Sequence, residues 1–269
     1  MSAMADLRIF SYLPNPRIWK ATIAARLCGV EVEVVGAKPA ELKDWLWDFN
    51  ARPLTQVEPG ALPKPRAGRV GFKGGTLAKT HAFLAAHPFA TVPAAFSPDG
   101  NVGIFESNSI MRAVARLGAG RQKLYGNDPY EASRIDSFLD ASLVFARDSQ
   151  IYLLGLRDAD FPTHIHARAA EAFAVYAAGI DQALQPDRAF LVGETLSLAD
   201  ICFVAELCLF LNERHHRATL AKRGLKPILS EQWREDFPRA SEHFNRLLAH
   251  PAFAPDVEPY LQKLYARAA

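Results

Sequence analysis

The sequence predicts an α/β first half followed by an all-helical second half. Three observations carry that expectation: a strand–helix–strand pattern over residues 7–35, a β-hairpin that runs directly into a helix over residues 92–117, and no strand signal beyond about residue 128. With 269 residues, 49% of them apolar, the chain is long enough for one large domain or two ordinary ones.

Each element has a local reason. Residues 7–12 (LRIFSY) alternate as a strand does, residues 17–27 (RIWKATIAARL) have helical character, and residues 30–35 (VEVEVV) alternate valine with glutamate. Pro14 and Pro16 suit the first turn of that helix, where a missing N–H is harmless, and Gly29 suits its end. Prolines 39, 53, 59, 63 and 65 then interrupt the pattern, and residues 66–75 form a glycine-rich basic loop. Within this stretch residues 40–49, with Trp45 and Trp47, and residues 79–86 read as helical. Residues 92–96 and 102–105 flank the turn SPDGN and form the hairpin, and a helix starts at Glu106. Residues 118–128 read as a linker. Helices are expected over residues 129–156, 163–184, 198–214 and 238–248, with shorter turns at 230–235 and 255–265. The domains therefore fall at 1–120, with a long insertion at about 41–76, and at 128–269.

Charge and composition exclude several classes. The net charge of +2, from 31 basic and 29 acidic residues, supplies no field toward nucleic acid or an anionic membrane. The N-terminus lacks the pattern of a secretory signal and no stretch matches a membrane span, so a cytoplasmic protein is expected. Cys28, Cys202 and Cys208 are odd in number and lack metal or redox spacing, which points to buried thiols. His164, His166, His215 and His216 have no third ligand at a matching spacing, so no metal is expected.

The chemistry concentrates in residues 91–96 (TVPAAF) and 105–110 (FESNSI). A proline that opens a strand becomes intelligible if Val92–Pro93 is cis and presents the Val92 backbone to a peptide-like ligand. Glu106, Ser107 and Asn108 stand at a helix start, where backbone amides and the dipole hold a carboxylate while the Glu106 side chain meets an ammonium. The γ-glutamyl end of glutathione carries both charges.

This order of Val-Pro, strand, glycine turn, strand and Glu-Ser-x-x-Ile resembles the glutathione-transferase superfamily. A second string supports the resemblance: residues 190–201 (FLVGETLSLADI) place Ser197 and Asp200 as a capping box, with Leu196 and Ile201 as a hydrophobic staple. G-x-x-x-S-x-A-D is similar to the folding motif of the buried helix in the second domain of that superfamily. The resemblance implies a thioredoxin-like N-terminal domain and an all-helical glutathione-transferase C-terminal domain. Residues 11–25 (SYLPNPRIWKATIAA) and 87–96 (HPFATVPAAF) look nearest to the transferase-like domain of translation elongation factor 1 gamma and its fungal and bacterial relatives. Thr91 departs from the lysine that many members carry there, and the segment from Glu41 to Thr76 is longer than usual.

A thiol of pKa near about 8.5 needs a donor to favour the thiolate at neutral pH. Ser11, Tyr12 and Asn15 are the donors in the loop after the first strand. Spacing back from Trp19 and Lys20 sets Asn15, by resemblance, where other classes carry a catalytic serine; Tyr12 stands second. Arg17 is a candidate supporting charge, and Lys79, ahead of the weaker His81, is the candidate for the glycine carboxylate. Glutathione is thus the expected cosubstrate, with Val92, Pro93, Glu106, Ser107, Asn108, Lys79 and Arg17 binding it.

The expected reaction is attack by the glutathione thiolate on a small apolar, aromatic electrophile, extending to aryl ether cleavage. Trp45, Trp47, Phe49 and Phe72 are expected to enclose an aromatic substrate, and Phe138, Leu139, Phe145, Tyr152 and Leu153 offer either an acceptor pocket or ordinary core. The expected assembly is a homodimer or a heterodimer with a related subunit, without nucleic acid or membrane. The competing expectations are a non-catalytic interaction module and a carrier of apolar ligands. The short stretch after the helical domain favours the free-standing enzyme over the module.

Overall fold

In the computed structural model, which describes residues 5–68, 72, 75–158 and 161–266, the chain divides into two units, Met1–Arg121 and Gln122–Ala269. Strand β1 (Leu7–Tyr12) leads into helix α1 (Pro16–Cys28). Asn15 has extended backbone at φ −138°, and its Oδ1 accepts from the Arg17 N–H at 3.0 Å, which satisfies one of the first-turn amides. Gly29 ends the helix at φ 64°, a left-handed conformation that returns its N–H to the Ala25 carbonyl. Strand β2 (Val32–Ala37) then pairs parallel to β1, Leu7 opposite Val32 and Tyr12 opposite Ala37.

The expected helix over residues 40–49 is not formed. A 3-10 turn at Leu42–Asp44 passes into strand β3 (Trp45–Trp47). The physical reason is a period of two: Leu46 packs with Val57 and Ala78, whereas Trp47 faces the opposite side with Phe10, Leu42, Leu77 and Phe83. Strands β4 (Arg52–Pro53), β5 (Arg66–Ala67) and β6 (Thr76–Lys79) complete a second four-stranded sheet in the order β4-β3-β6-β5. Of the basic loop expected over residues 66–75, residues 69–71 and 73–74 lie outside the described residues. Helix α2 (His81–Ala86) follows; Thr80 caps it through the Phe83 N–H at 3.1 Å and donates to Asp48 at 2.7 Å.

Strands β7 (Ala94–Phe96) and β8 (Gly103–Phe105) form the hairpin, whose turn is tied by Asp99 to Ser97 at 2.6 Å and to the Asn101 side chain at 2.7 Å. They complete the main sheet, order β2-β1-β7-β8, with only β1 and β2 parallel. Helix α3 (Ser107–Leu117) packs on α1.

Phe10, Trp47, Phe83 and Phe96 fuse the two sheets and α2. The Phe10 and Trp47 rings meet edge-on at 5.5 Å, and Trp47 meets Phe83 at 5.9 Å. Burying such a ring contributes about 1.5 to 3 kcal/mol. Trp45, Phe49 and Phe72 pack on the same cluster. The aromatic residues expected to enclose a substrate are therefore the core joining the insertion to the main sheet.

The second unit is helical. Helix α4 (Pro129–Gly155) is capped by Asp128, which accepts from Tyr130 at 2.7 Å and Glu131 at 2.9 Å; helix α5 (Thr163–Ala183) follows. Leu139, Phe145, Tyr152 and Leu153 of α4 are buried interhelical core, while Arg134 lies over the Phe138 ring at 5.0 Å. Helix α6 (Leu198–Phe210) is buried on nearly every side. The single helix expected to residue 214 ends at Phe210 and tightens into a 3-10 turn at Leu211–His216. There the buried Glu213 carboxylate accepts from Tyr152 at 2.6 Å, Ile228 at 2.9 Å and Leu229 at 3.1 Å. Helices α7 (Arg217–Lys222), α8 (Trp233–Asp236), α9 (Pro238–Leu248) and α10 (Ala254–Ala266) complete the unit. Among the described residues no helix is long and apolar enough to cross a membrane.

Asp200 is the hub of this unit. It is fully buried and accepts from the Ser197 amide at 2.8 Å, the Ser197 hydroxyl at 2.9 Å, the Leu191 amide at 3.0 Å and His243 Nε2 at 2.8 Å. The capping box is therefore half of a larger network. Ser197→Ala should cost about 1 kcal/mol, whereas Asp200→Ala, which strands four buried donor groups, should cost about 3 to 5 kcal/mol. Urea unfolding of the two variants checks this; equal losses would reduce Asp200 to an ordinary capping residue.

Candidate functional site

The strand register brings three short segments to one end of the main sheet. Phe10 pairs with Ala94 across the antiparallel β1–β7 ladder, so continuing the register sets Tyr12 opposite Val92. Ala94 also pairs with Phe105 of β8, which brings Glu106 beside Pro93. The loop after β1, the Val92–Pro93 turn, whose peptide is cis, and the start of α3 thus converge. Asn15, Val92, Pro93, Glu106, Ser107 and Asn108 belong to these segments, Ser11 and Tyr12 close β1 beside them, Arg17 stands in the first turn of α1, and Lys79 and His81 lie apart at the end of β6 and the start of α2.

Glu106 is exposed and adopts φ 65°, ψ 122°, a left-sided conformation that only glycine visits without strain. Strain of about 1 to 3 kcal/mol at a non-glycine residue persists where the neighbours impose it, and such residues cluster at ligand sites. Its carbonyl accepts the first α3 bond, from Ile110 at 3.0 Å. The amides of Ser107, Asn108 and Ser109 therefore precede the helical ladder and face its N-terminal end, where the dipole favours an anion.

The side chains at this end are more deeply placed than the sequence implied. Ser107 is 7% exposed and Asn108 is 1% exposed, and both accept from the Lys20 ammonium of α1: Ser107 Oγ at 3.3 Å and Asn108 Oδ1 at 2.7 Å. Asn108 thus turns its amide oxygen inward. Ser11 is fully buried and Asn15 is 1% exposed; Asn15 Nδ2 donates to Ser11 Oγ at 3.1 Å while its Oδ1 caps α1. Tyr12 is half-buried against the aromatic cluster.

Lys79 is buried at the end of β6. Its ammonium donates to the Ala90 carbonyl at 2.7 Å and lies 4.5 Å from the Trp47 ring centre. Ala90 has φ 54°, so Lys79 pins a strained turn two residues before Val92. His81 is exposed at the start of α2. His87 supports the same turn: it is 1% exposed, stacks on Phe105 at 5.0 Å and lies 3.3 Å from Thr91 Oγ1. Burial, reinforced by the Lys79 charge, lowers its pKa from 6.5 to about 4.

Lys20 and His87 escaped the sequence reading. A signal for Lys20 was present: it lies four residues after Pro16 and three before Ile23, on the stripe of α1 that is buried. His87 carried no comparable sign.

The main-sheet order, the cis-proline turn before β7 and the helical second unit define a glutathione-transferase fold. Residues 164–251, within the second unit, match the family model for the glutathione S-transferase C-terminal domain. Among curated proteins the chain is similar to elongation factor 1-gamma of Homo sapiens, 27% identical over 254 residues that cover 93% of this chain and 46% of that one. It is also similar to elongation factor 1-gamma of Carassius auratus, 26% identical over 93% of this chain and 45% of that protein. The chain spans about half the length of these relatives. Among solved structures it is similar to a glutathione S-transferase from Methylobacterium radiotolerans in complex with glutathione sulfonate, with TM-score 0.61, 19% identity, and 93% and 94% of the two chains covered. Ure2p in complex with glutathione matches with TM-score 0.60, 17% identity, and 95% and 100% coverage.

Two outcomes are expected at this site. Glu106→Gly should relieve the backbone strain and raise stability by about 1 kcal/mol net of the entropy cost of glycine, while Glu106→Ala should not. Thermal unfolding of both variants decides the point, and a stabilised alanine variant would contradict the strain argument. Because the folded-state pKa of His87 lies below its unfolded value, its contribution is complete above about pH 6.5 and is lost as pH falls toward 4, by about 3 kcal/mol in total. His87→Gln should flatten this part of the stability profile; an unchanged slope between pH 6.5 and 4 would assign the acid sensitivity elsewhere.

Proposed function

We propose that the first unit binds glutathione and that the chain is a glutathione transferase acting on a small apolar electrophile. The observation that supports this most directly is the convergence set by the strand register: the Val92 backbone, the strained Glu106 and the first amides of α3 meet at one sheet end. A peptide with a carboxylate and an ammonium at its γ-glutamyl end matches that set. The Ser107 hydroxyl and the α3 amides take the carboxylate, Glu106 takes the ammonium, and the Val92 backbone pairs with the cysteinyl unit. Lys79 and His87 hold the turn that carries Val92, and Lys79 is also the candidate for the glycine carboxylate.

The sulfur in this reading lies against the loop after β1. Asn15 retains a second Nδ2 hydrogen beyond the one given to Ser11, and Tyr12 supplies a hydroxyl; either stabilises a thiolate at the positive end of α1. The thiolate forms a carbon–sulfur bond with the electrophile, and the displaced group leaves with the bonding pair. A cytoplasmic location fits, since glutathione is kept reduced there and the three cysteines are buried and not joined in disulfides.

A second reading, a glutathione-transferase-like module that binds partners without turnover, is favoured by two observations. Ser11 and Asn15, two of the three candidate activators, are closed from solvent and bonded to each other. Val144 and Ile151, seven residues apart on α4, expose apolar side chains by 67% and 43%, and the relatives named above are elongation factor 1-gamma proteins.

The two readings separate in one experiment: calorimetric titration with glutathione, then the ultraviolet thiolate absorbance of the complex against pH. The enzyme reading expects binding and a bound-thiol pKa below about 8.5, raised in Asn15→Ala or in Tyr12→Phe. Binding with an unshifted thiol and no turnover on a panel of electrophiles would establish the module instead.

A further inference from the structure

Lys20 has no assigned role in the reading above, yet its side chain is fully buried and its ammonium reaches both residues that open α3. Removing an ammonium from water costs several kcal/mol unless hydrogen bonds replace its hydration. An apolar residue would fill the α1–α3 interface without that cost. The direction of the bonds shows what the charge does. An ammonium only donates, so Ser107 Oγ and Asn108 Oδ1 are acceptors toward Lys20. A hydroxyl whose oxygen accepts from a cation must aim its own proton away from that cation. At Ser107 the proton therefore points away from Lys20, at the helix start that also carries the first α3 amides. The positive charge behind the oxygen polarises the O–H and strengthens it as a donor to an anion.

We propose that Lys20 is the positioning residue of the anion site: from behind Ser107 it fixes the hydroxyl as a donor and adds positive potential at the start of α3. The inference rests on the glutathione reading and deepens it. It makes the free α-carboxylate of the γ-glutamyl unit the feature that the protein selects, in preference to the ammonium or the thiol.

The test compares two ligands by calorimetry: glutathione, and its analogue with hydrogen in place of the γ-glutamyl α-carboxylate. Wild type should prefer glutathione by about tenfold or more. Lys20→Gln should lose most of that preference by weakening glutathione alone, Lys20→Arg should restore part of it, and Lys20→Gln in a Ser107→Ala background should lose little more than Ser107→Ala does. A merely structural clamp would weaken both ligands equally or neither, and either result overturns the proposal. If Lys20→Gln does not fold, nitrogen-15 spectra of the lysine ammonium groups in wild type decide it: the Lys20 signal should shift with glutathione and stay in place with the analogue. Equal shifts, or none, reject it. A wild type that binds neither ligand removes the glutathione reading itself, whereas binding with unchanged preference in Lys20→Gln removes only this inference.

Discussion

Lys20 carries an ammonium into the interface between α1 and α3, and the start of α3 is arranged around it. The bonds to Ser107 and Asn108 join residues of two helices that lie 87 and 88 positions apart in the sequence. They fix where α3 begins, hence where Glu106 must turn out of the sheet at positive φ. After β1, Asn15 ties Ser11 to the start of α1. Buried polar networks of this kind gain little net stability over an apolar core but tolerate few alternative arrangements. Under the proposed function their value is direction: donors already held in place require less ordering when a ligand binds.

The second unit uses the opposite sign of charge for a similar purpose. Asp200, Glu213 and Asp181 are buried carboxylates, and each collects main-chain amides from another segment: Asp200 from Leu191, Glu213 from Ile228 and Leu229, Asp181 from Arg239 and Ala240. Loops that would otherwise bury bare amides are thereby anchored to helices. Arg246 donates to His243 Nδ1, which leaves Nε2 as the protonated nitrogen that donates to Asp200.

The sequence made legible whatever rests on local chemistry. Asn15, Pro16 and Gly29 bracket α1 by capping rules alone, and SPDGN could hardly be other than a turn. The Val92-Pro93 to Asn108 segment was readable as a cis-proline turn, a hairpin and a helix start because those features are encoded in consecutive residues. Residues 40–49 were misread because Trp45, Leu46 and Trp47 alternate over three positions only, too few to outweigh a helical composition, and their strand exists through pairing with Ala78 and Lys79, thirty-two residues away. The aromatic residues there looked like a substrate enclosure because sequence does not distinguish a ring that faces a ligand from one that faces Phe10. Lys20 was missed for a related reason: a charged residue reads as solvated until the helix stripe on which it lies is known to be covered.

The central claim is that one sheet end, assembled from Val92, Glu106 and the first turn of α3, is a glutathione site. The most direct measurement is a nitrogen-15 amide titration with glutathione. The account predicts that the largest shifts fall on Val92, Ser107, Asn108 and the loop after β1, with the Ser197–Asp200 cap in the second unit unmoved. Shifts concentrated elsewhere, or none at saturating ligand, would contradict it.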